Sequence, residues 1–338
     1  VIVQSGIVEQ VIDRNVTGSF HKDLVVTGGA VPLSMVRKRA VQCEQTLAPV
    51  LLVHGFGQNR YSWHLPARSF ANHLAMAGFD VFNLDLRGHG RSRHEGTPRC
   101  RGVEDYAHED LPSAVEEVHS LSGKRPVWIV GHSLGGLVAF AGAPLLTGAL
   151  GGIASIGSPY DFARGSMSLG VLKFVMRLVG RVPMPNAPMP LAPVGLALRT
   201  LRGFAESPLY PLPIRGWHKG SCEPHVLEQY LSMAFDRVAI QVMFDMFELE
   251  TRFRKRDSAH FVKFEALDLP LLFIAGENDD LAPPLSVRGG FTKSHSSDKT
   301  YRAFPLGHID LLVGRDAPSL TWSEVTSWLE KRVQKRAA

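Results

Sequence analysis

Cysteine is scarce in this chain. Cys43, Cys100 and Cys222 are scattered over 338 residues with no Cys-x-x-Cys pair. That argues against a disulfide framework or a paired-cysteine zinc site and makes a reducing compartment, the cytoplasm, the expected location. Hydrophobic runs are short, and none reaches the roughly 20 residues that a membrane span needs. The first residues lack the basic-then-apolar order of a secretory signal, although a start at Val1 rather than Met leaves room for a removed leader. A basic stripe interleaved with aromatics is also missing. The net charge of +5 is gathered in Arg37-Lys38-Arg39, in Arg252 to Arg256, and in Lys331-Arg332 with Lys335-Arg336. Such clusters are usually solvated faces, so nucleic acid is not expected as a partner, and contact with an acidic surface is the minor alternative. What is present, 45% hydrophobic and 20% charged residues, is the composition of a globular chain. Its length suits one large domain with an insertion, or two domains.

The most informative stretch is Val127 to Gly136. An apolar, β-branched run ends abruptly in Gly131-His132-Ser133-Leu134-Gly135, and the uncharged stretch Leu137 to Leu146 follows. The pattern predicts strand, sharp turn and helix, with Ser133 strained at the turn and glycines on both sides where side chains would collide. Such a turn lifts the serine hydroxyl clear of the backbone as a nucleophile.

Further runs alternate around it. Residues 1 to about 44 read as an N-terminal β-meander, with a turn at Gly28-Gly29. Val50 to Val53 is all apolar, as in a parallel strand buried on both faces, and it opens into His54-Gly55-Phe56-Gly57. The Phe56 and Leu134 amides are the expected halves of an oxyanion hole. Tyr61 to Ala77 is predicted to be helical and closed by Gly78. A strand to Leu84 then leads into Asp85-Leu86-Arg87-Gly88-His89-Gly90-Arg91-Ser92, where Asp85 and Arg87 are expected to tie the loop through charge-assisted hydrogen bonds. His89 lies too far along that loop to be the favoured base. Tyr106 to Leu121 is a predicted helix, and Gly152 to Pro159 contains another buried strand.

From about Tyr160 to Glu265 the alternation stops. This stretch is rich in Leu, Met, Phe and Pro, with the proline run Pro183 to Pro193 at its centre and a segment apolar on most of its circumference at Ser168 to Val179. It predicts an inserted helical lid whose inner side lines an adaptable apolar pocket. The sheet resumes at Pro270 to Ala275. Asp279 is the expected acid past its end, with Asp280 as the rival and Asp161 as an outside candidate, because parallel strands gather their C-terminal ends at one edge. His308, after the last strand at Thr300 to Phe304, is the expected base. Thr321-Trp-Ser-Glu324 has the form of a capping box opening an amphipathic helix.

Five of these motifs together resemble the α/β-hydrolase superfamily: His54 to Gly57, Asp85 to Ser92, Gly131 to Gly135, Gly276 to Asp279, and Gly307-His308. Their order, nucleophile, acid and then histidine, is the family's order. The resemblance covers roughly residues 45–160 and 265–330. It implies an α/β fold with a mostly parallel central sheet, helices on both faces, a core of residues 1–160 and 265–338, and a helical lid at 161–264. Leu306 to Arg315 with a later Trp is similar to polyhydroxyalkanoate synthases and related lipases. Those synthases carry cysteine at the elbow; Ser133 here favours ester hydrolysis. Serine also separates the chain from the haloalkane dehalogenase and epoxide hydrolase branches, which need aspartate there. The expectation is a cofactor-free, metal-free serine esterase or lipase using Ser133, His308 and Asp279 on a small apolar ester, with transient contact to a lipid surface. Acyl transfer by the same residues, or a silent binding protein of the same fold, are the alternatives.

Overall fold

The short apolar runs form the centre of a single sheet. The computed structural model describes residues 1–162, 164–179, 187–207, 209–210, 215–246 and 260–337. Its strands are β1 (Ile2–Asp13), β2 (Val16–Val26), β3 (Ser34–Ala40), β4 (Pro49–Val53), β5 (Asp80–Leu84), β6 (Val127–His132), β7 (Leu150–Ile156), β8 (Pro188–Pro190), β9 (Arg237–Ala239), β10 (Leu271–Gly276) and β11 (Lys299–Phe304). Nine of them make one sheet in the order β1-β2-β3-β5-β4-β6-β7-β10-β11. The first three and β5 pair antiparallel, and β5 through β11 pair parallel. Every residue of β4, β5, β6, β7 and β10 is buried. Leu51, Val53 and Ile129 pack into the apolar layer on one face, and Val50, Leu52, Trp128 and Val130 into the layer on the other. Burial on both faces is why these strands are apolar without a break.

The topology decides where a ligand can sit. After β4 the chain leaves to one side to make β5, then returns to place β6 on the other side of β4. Loops that diverge from neighbouring parallel strands open a crevice at their C-terminal ends. The loop after β4 and the turn after β6 flank that crevice.

Between β7 and β10 the chain leaves the sheet. It forms helices Met167–Val179, Ala192–Thr200, Arg202–Ala205, Pro224–Met233, 240–246 and His260–Glu265. The insertion is not purely helical: β8 and β9 form a small antiparallel pair. The basic run 252–256 and the first part of the proline run, 183–186, lie outside the described residues.

Other expectations shift in detail. The helix expected over residues 61–77 is confined to Phe70–Met76. Ser69 caps it by accepting from the Asn72 amide at 3.0 Å, and Pro66 lies in the turn before it. The C-terminal helix Ser323–Ala337 runs on directly from a wide turn at Pro318–Trp322, so no capping box forms and the Thr321 hydroxyl is buried without a partner. Its apolar face packs as expected, with Trp328 edge-on to Trp128 at 5.4 Å between ring centres. Arg37-Lys38-Arg39 is no solvated face. Arg37 pairs with buried Asp80 at 2.7 Å, Arg39 with Asp23 at 2.9 Å, and Lys38 is 2% exposed.

Candidate active site

Ser133 sits between β6 and helix Leu134–Gly142 with φ 51° and ψ −118°, a conformation that non-glycine residues rarely hold and that marks functional strain. The packing enforces it. A Cβ on Gly131 would lie 2.6 Å from the Gly136 nitrogen, and one on Gly135 would lie 2.7 Å from the His54 carbonyl oxygen. The turn therefore fits only because glycines let the helix press against both β6 and the loop after β4. The Ser133 amide donates to Ile156 O at 3.0 Å, fixing the turn to β7.

His308 lies four residues beyond the end of β11, and Asp279 lies in the turn after β10. They meet: His308 Nδ1 is 2.8 Å from Asp279 Oδ2, and both side chains are buried. The other carboxylate oxygen of Asp279 accepts from the Leu281 and Ala282 amides at 2.8 and 2.7 Å. The carboxylate cannot swing away without breaking three bonds. Its chain neighbour Asp280 instead accepts from the Arg215 amide at 3.1 Å, and Asp161 pairs with Lys293 and Arg164. Neither touches His308. To reach back toward Ser133, this pair crosses the end of β7 at Gly157, where a Cβ would stand 3.3 Å from Asp279 Oδ2 and 3.4 Å from His308 Nδ1.

Two residues not singled out from the sequence hold His308 from behind. His132, buried beside the serine, lies with Nε2 3.2 Å from the His308 carbonyl oxygen, its ring centre 4.7 Å from that of His308. Burial, with His308 next to it, lowers its pKa well below the ordinary imidazole value, so His132 is neutral and donates from Nε2. Asp310 accepts from the Gly307 amide at 3.1 Å and from the His218 amide at 3.0 Å, bracing the loop. A histidine inside the elbow motif is visible in sequence, but its partner 176 residues away is not.

The loop after β4 is equally constrained. His54 Nδ1 lies 3.0 Å from Gly55 O, and its Nε2 accepts from the Leu86 amide at 3.1 Å. Gln58 Oε1 accepts from the Gly55 amide at 3.2 Å, while its Nε2 donates to Tyr230 Oη at 2.7 Å. The Phe56 and Leu134 amides have no acceptor among the described residues. Asp85 accepts from the Arg60 amide and guanidinium at 2.8 and 2.5 Å and from the Arg91 amide at 2.9 Å. Arg87 pairs with Asp110 and Glu109, each at 2.6 Å. His89 is not on a free loop: it is buried against His54, 5.0 Å between ring centres, and burial holds its pKa at about 4.

Ser133 and His308 open into one cavity of 480 Å³. Its walls are almost wholly apolar, with Phe162, Leu169, Leu172, Leu198, Trp217 and Phe235 from the insertion facing the loop that carries Phe56. Arg215 is the cation in this wall; it lies in a stretch without periodicity, and nothing in the sequence marks it. Among the described residues no hydrogen bond joins Ser133 Oγ to His308, so the relay is closed on its acid side and open on its serine side.

A serine held in strain on a strand-to-helix turn, facing a histidine braced by a carboxylate at the same sheet edge, is the site plan of a hydrolase. The chain belongs to the alpha/beta hydrolase fold family, whose sequence profile matches residues 48–315. It is 24% identical over 341 residues to the poly(3-hydroxyalkanoate) polymerase subunit PhaC of Haloarcula marismortui, covering 95% of this chain and 67% of that one. It is 25% identical over 290 residues to the monoacylglycerol lipase of Mycolicibacterium smegmatis, covering 83% and 87%. Among solved structures, a monoacylglycerol lipase of Paleococcus ferrophilus superposes with a TM-score of 0.61 at 20% identity, over 89% of this chain and 99% of that one.

Proposed function

We propose that the protein hydrolyses carboxylic esters with an apolar acyl group, using Ser133 as nucleophile, His308 as base and Asp279 as the acid that orients it. The observation that carries this reading is the buried His308–Asp279 pair opening, together with the strained Ser133, into an apolar cavity. His308 keeps a proton on Nδ1 toward Asp279 and takes the serine proton on Nε2 as Oγ attacks the ester carbonyl. The developing oxyanion is held by the Phe56 and Leu134 amides, which have no other acceptor among the described residues. His308 then protonates the departing alkoxide, and in the second half activates the water that releases the acid. The contact between Ser133 and His308 closes when substrate is bound, as catalytic hydrogen bonds commonly tighten in the Michaelis complex.

Residues 161–264 act as a lid in this reading, supplying most of the acyl wall. The outer side of helix Met167–Val179 exposes Met167, Val171 and Phe174, which suits transient contact with a lipid surface that holds such esters. Among the described residues no helix is long and apolar enough to cross a membrane. All three cysteines are free, in keeping with a reducing compartment such as the cytoplasm.

Turnover of nitrophenyl esters of rising acyl length is the direct test. Medium or longer chains should be preferred, and Ser133→Ala should lose about 10⁴-fold or more in kcat. Activity surviving in that variant removes the reading, whereas a flat length profile removes only the apolar pocket. Acyl transfer is the second reading, favoured by the likeness to a polymerase subunit along nearly the whole chain. An added alcohol that converts product from free acid to new ester would establish it.

A further inference from the structure

A second cavity, of 600 Å³, lies between the N-terminal strands and residues 60–66 and shares no lining residue with the first. Its wall is cationic, holding Lys22, Lys38, Arg60 and Arg91 with Glu9 as the one acid. Lys22 on β2 and Lys38 on β3 are register partners, so two like charges leave the sheet opposite each other on one face, which costs stability. Opposite Lys22 on β1 stands Gly6, where a Cβ would meet nothing within 4 Å, so the floor beside the lysine is open.

The charges in this cavity are not answered from within the protein. Lys38 is buried, yet its Nζ meets only neutral groups: Gln10 Oε1 at 2.6 Å, Asn72 Oδ1 at 2.6 Å and the His64 ring at 3.2 Å. Lys22 and the Arg91 side chain make no ion pair among the described residues. Arg60 is the exception, paired with Asp85 at 2.5 Å. Glu9 accepts from Thr17 Oγ1 at 3.3 Å and makes no ion pair with the remaining three among the described residues. Asn83, on β5 beside the cavity, has a buried Oδ1 without any donor. Buried polar atoms are rarely left so.

We propose that this cavity binds a phosphate-type oxyanion, either free or carried by a small organic monoester, held by Lys22, Arg91 and the field of Lys38. A phosphate dianion matches the two unpaired cations Lys22 and Arg91, and its oxygens accept from several cationic donors at once. Burial and Lys22 hold the Lys38 ammonium well below its ordinary pKa, and burial with Lys38, Lys22 and Arg60 lowers His64 likewise. An arriving anion opposes both shifts, so binding takes up protons.

Calorimetric titration of the intact protein with inorganic phosphate, and separately with glycerol 3-phosphate, at ionic strength held constant with chloride, tests this site. Saturable 1:1 binding is expected, with proton uptake read from buffers of different ionisation enthalpy. Affinity should fall roughly tenfold or more in Lys22→Ala and be largely kept in Lys22→Arg. Tighter binding of the monoester assigns the site to an organic phosphate, and equal binding to the free ion. Lys38→Met should raise the melting temperature while abolishing the stabilisation by phosphate, a pair of effects that a merely structural lysine would not give. No binding beyond that of chloride, or equal affinity in wild type and Lys22→Ala, overturns the proposal. Lys22 lies outside the Ser133 cavity, so ester turnover should be unchanged in Lys22→Ala, and the two proposals stand or fall separately.

Discussion

Adjacent carboxylates at the end of β10 have been given different work by their surroundings. Asp279 is buried with both oxygens engaged, one of them on His308. Asp280 spends an oxygen on the Arg215 amide in the insertion. Asp279→Asn would present an amide to His308, reverse the tautomer, and lower kcat by about 10³–10⁴-fold. Asp280→Asn keeps an acceptor for Arg215 and should stay within a few-fold of wild type. Steady-state kinetics on one ester separates the two, and the reverse ranking would reassign the acid. His132 acts through His308, not on substrate. His132→Phe removes the donor to the His308 carbonyl, and it should lower kcat on the order of 10-fold to 10²-fold with KM little changed. A matching loss in His132→Gln, whose amide can still donate, would speak against positioning through this bond.

At the scale of elements, a short segment of the insertion, Ala234 to Asp236, ties it to the loop after β4 beside the Gln58–Tyr230 bond. The Asp236 amide donates to Gly57 O at 2.8 Å, and the Asn59 amide to Ala234 O at 3.0 Å. The Asp236 carboxylate accepts from the Gly90 amide at 2.8 Å, from Asn59 at 3.1 Å and from Arg93 at 2.8 Å. The carboxylate thus joins the insertion, the Phe56 loop and the loop after β5. Asp236→Ala should cost roughly 2–3 kcal/mol by leaving those donors without an acceptor, read by urea denaturation, and it should lower kcat as well, because the Phe56 amide loses its frame. A stability loss with turnover intact would mean that the oxyanion loop stands by itself. None of this segment was legible in the sequence. The parallel strands could be read because burial on both faces leaves an unbroken apolar run such as Val50–Val53, and Ser133, Asp279 and His308 because each follows such a run. Strands β8 and β9 are three residues each and far apart in the chain, too short for any period to appear. Arg37-Lys38-Arg39 reads as surface because a sequence cannot show that Asp80, Asp23 and Asn72 wait on neighbouring elements.

Across the described residues, the histidines whose pKa is lowered outnumber the acids whose pKa is raised, and this sets the response to pH. Burial lowers the pKa of His54, His64, His73, His89, His108 and His132, to about 4 for His89. In the unfolded chain each titrates near 6.5. Below that value the unfolded state therefore binds more protons than the folded state, and stability falls as the pH drops from about 6.5 toward the folded pKa values. For His89 alone the loss by pH 4 is on the order of 3 kcal/mol. Asp110, raised by burial to about 6 despite Arg87, and Asp310, also raised by burial, work the other way. They take up protons in the folded state first and so add stability as the pH falls through 6 toward 4. Six imidazoles against two carboxyls leave a net loss, so the melting temperature should hold between pH 7 and 8 and fall steadily from pH 6.5 to 5. In His89→Phe, which cannot be protonated, unfolding at pH 5.5 should take up close to one proton fewer. A melting temperature flat to pH 5 would mean that these histidines reach solvent and are not held neutral by the core.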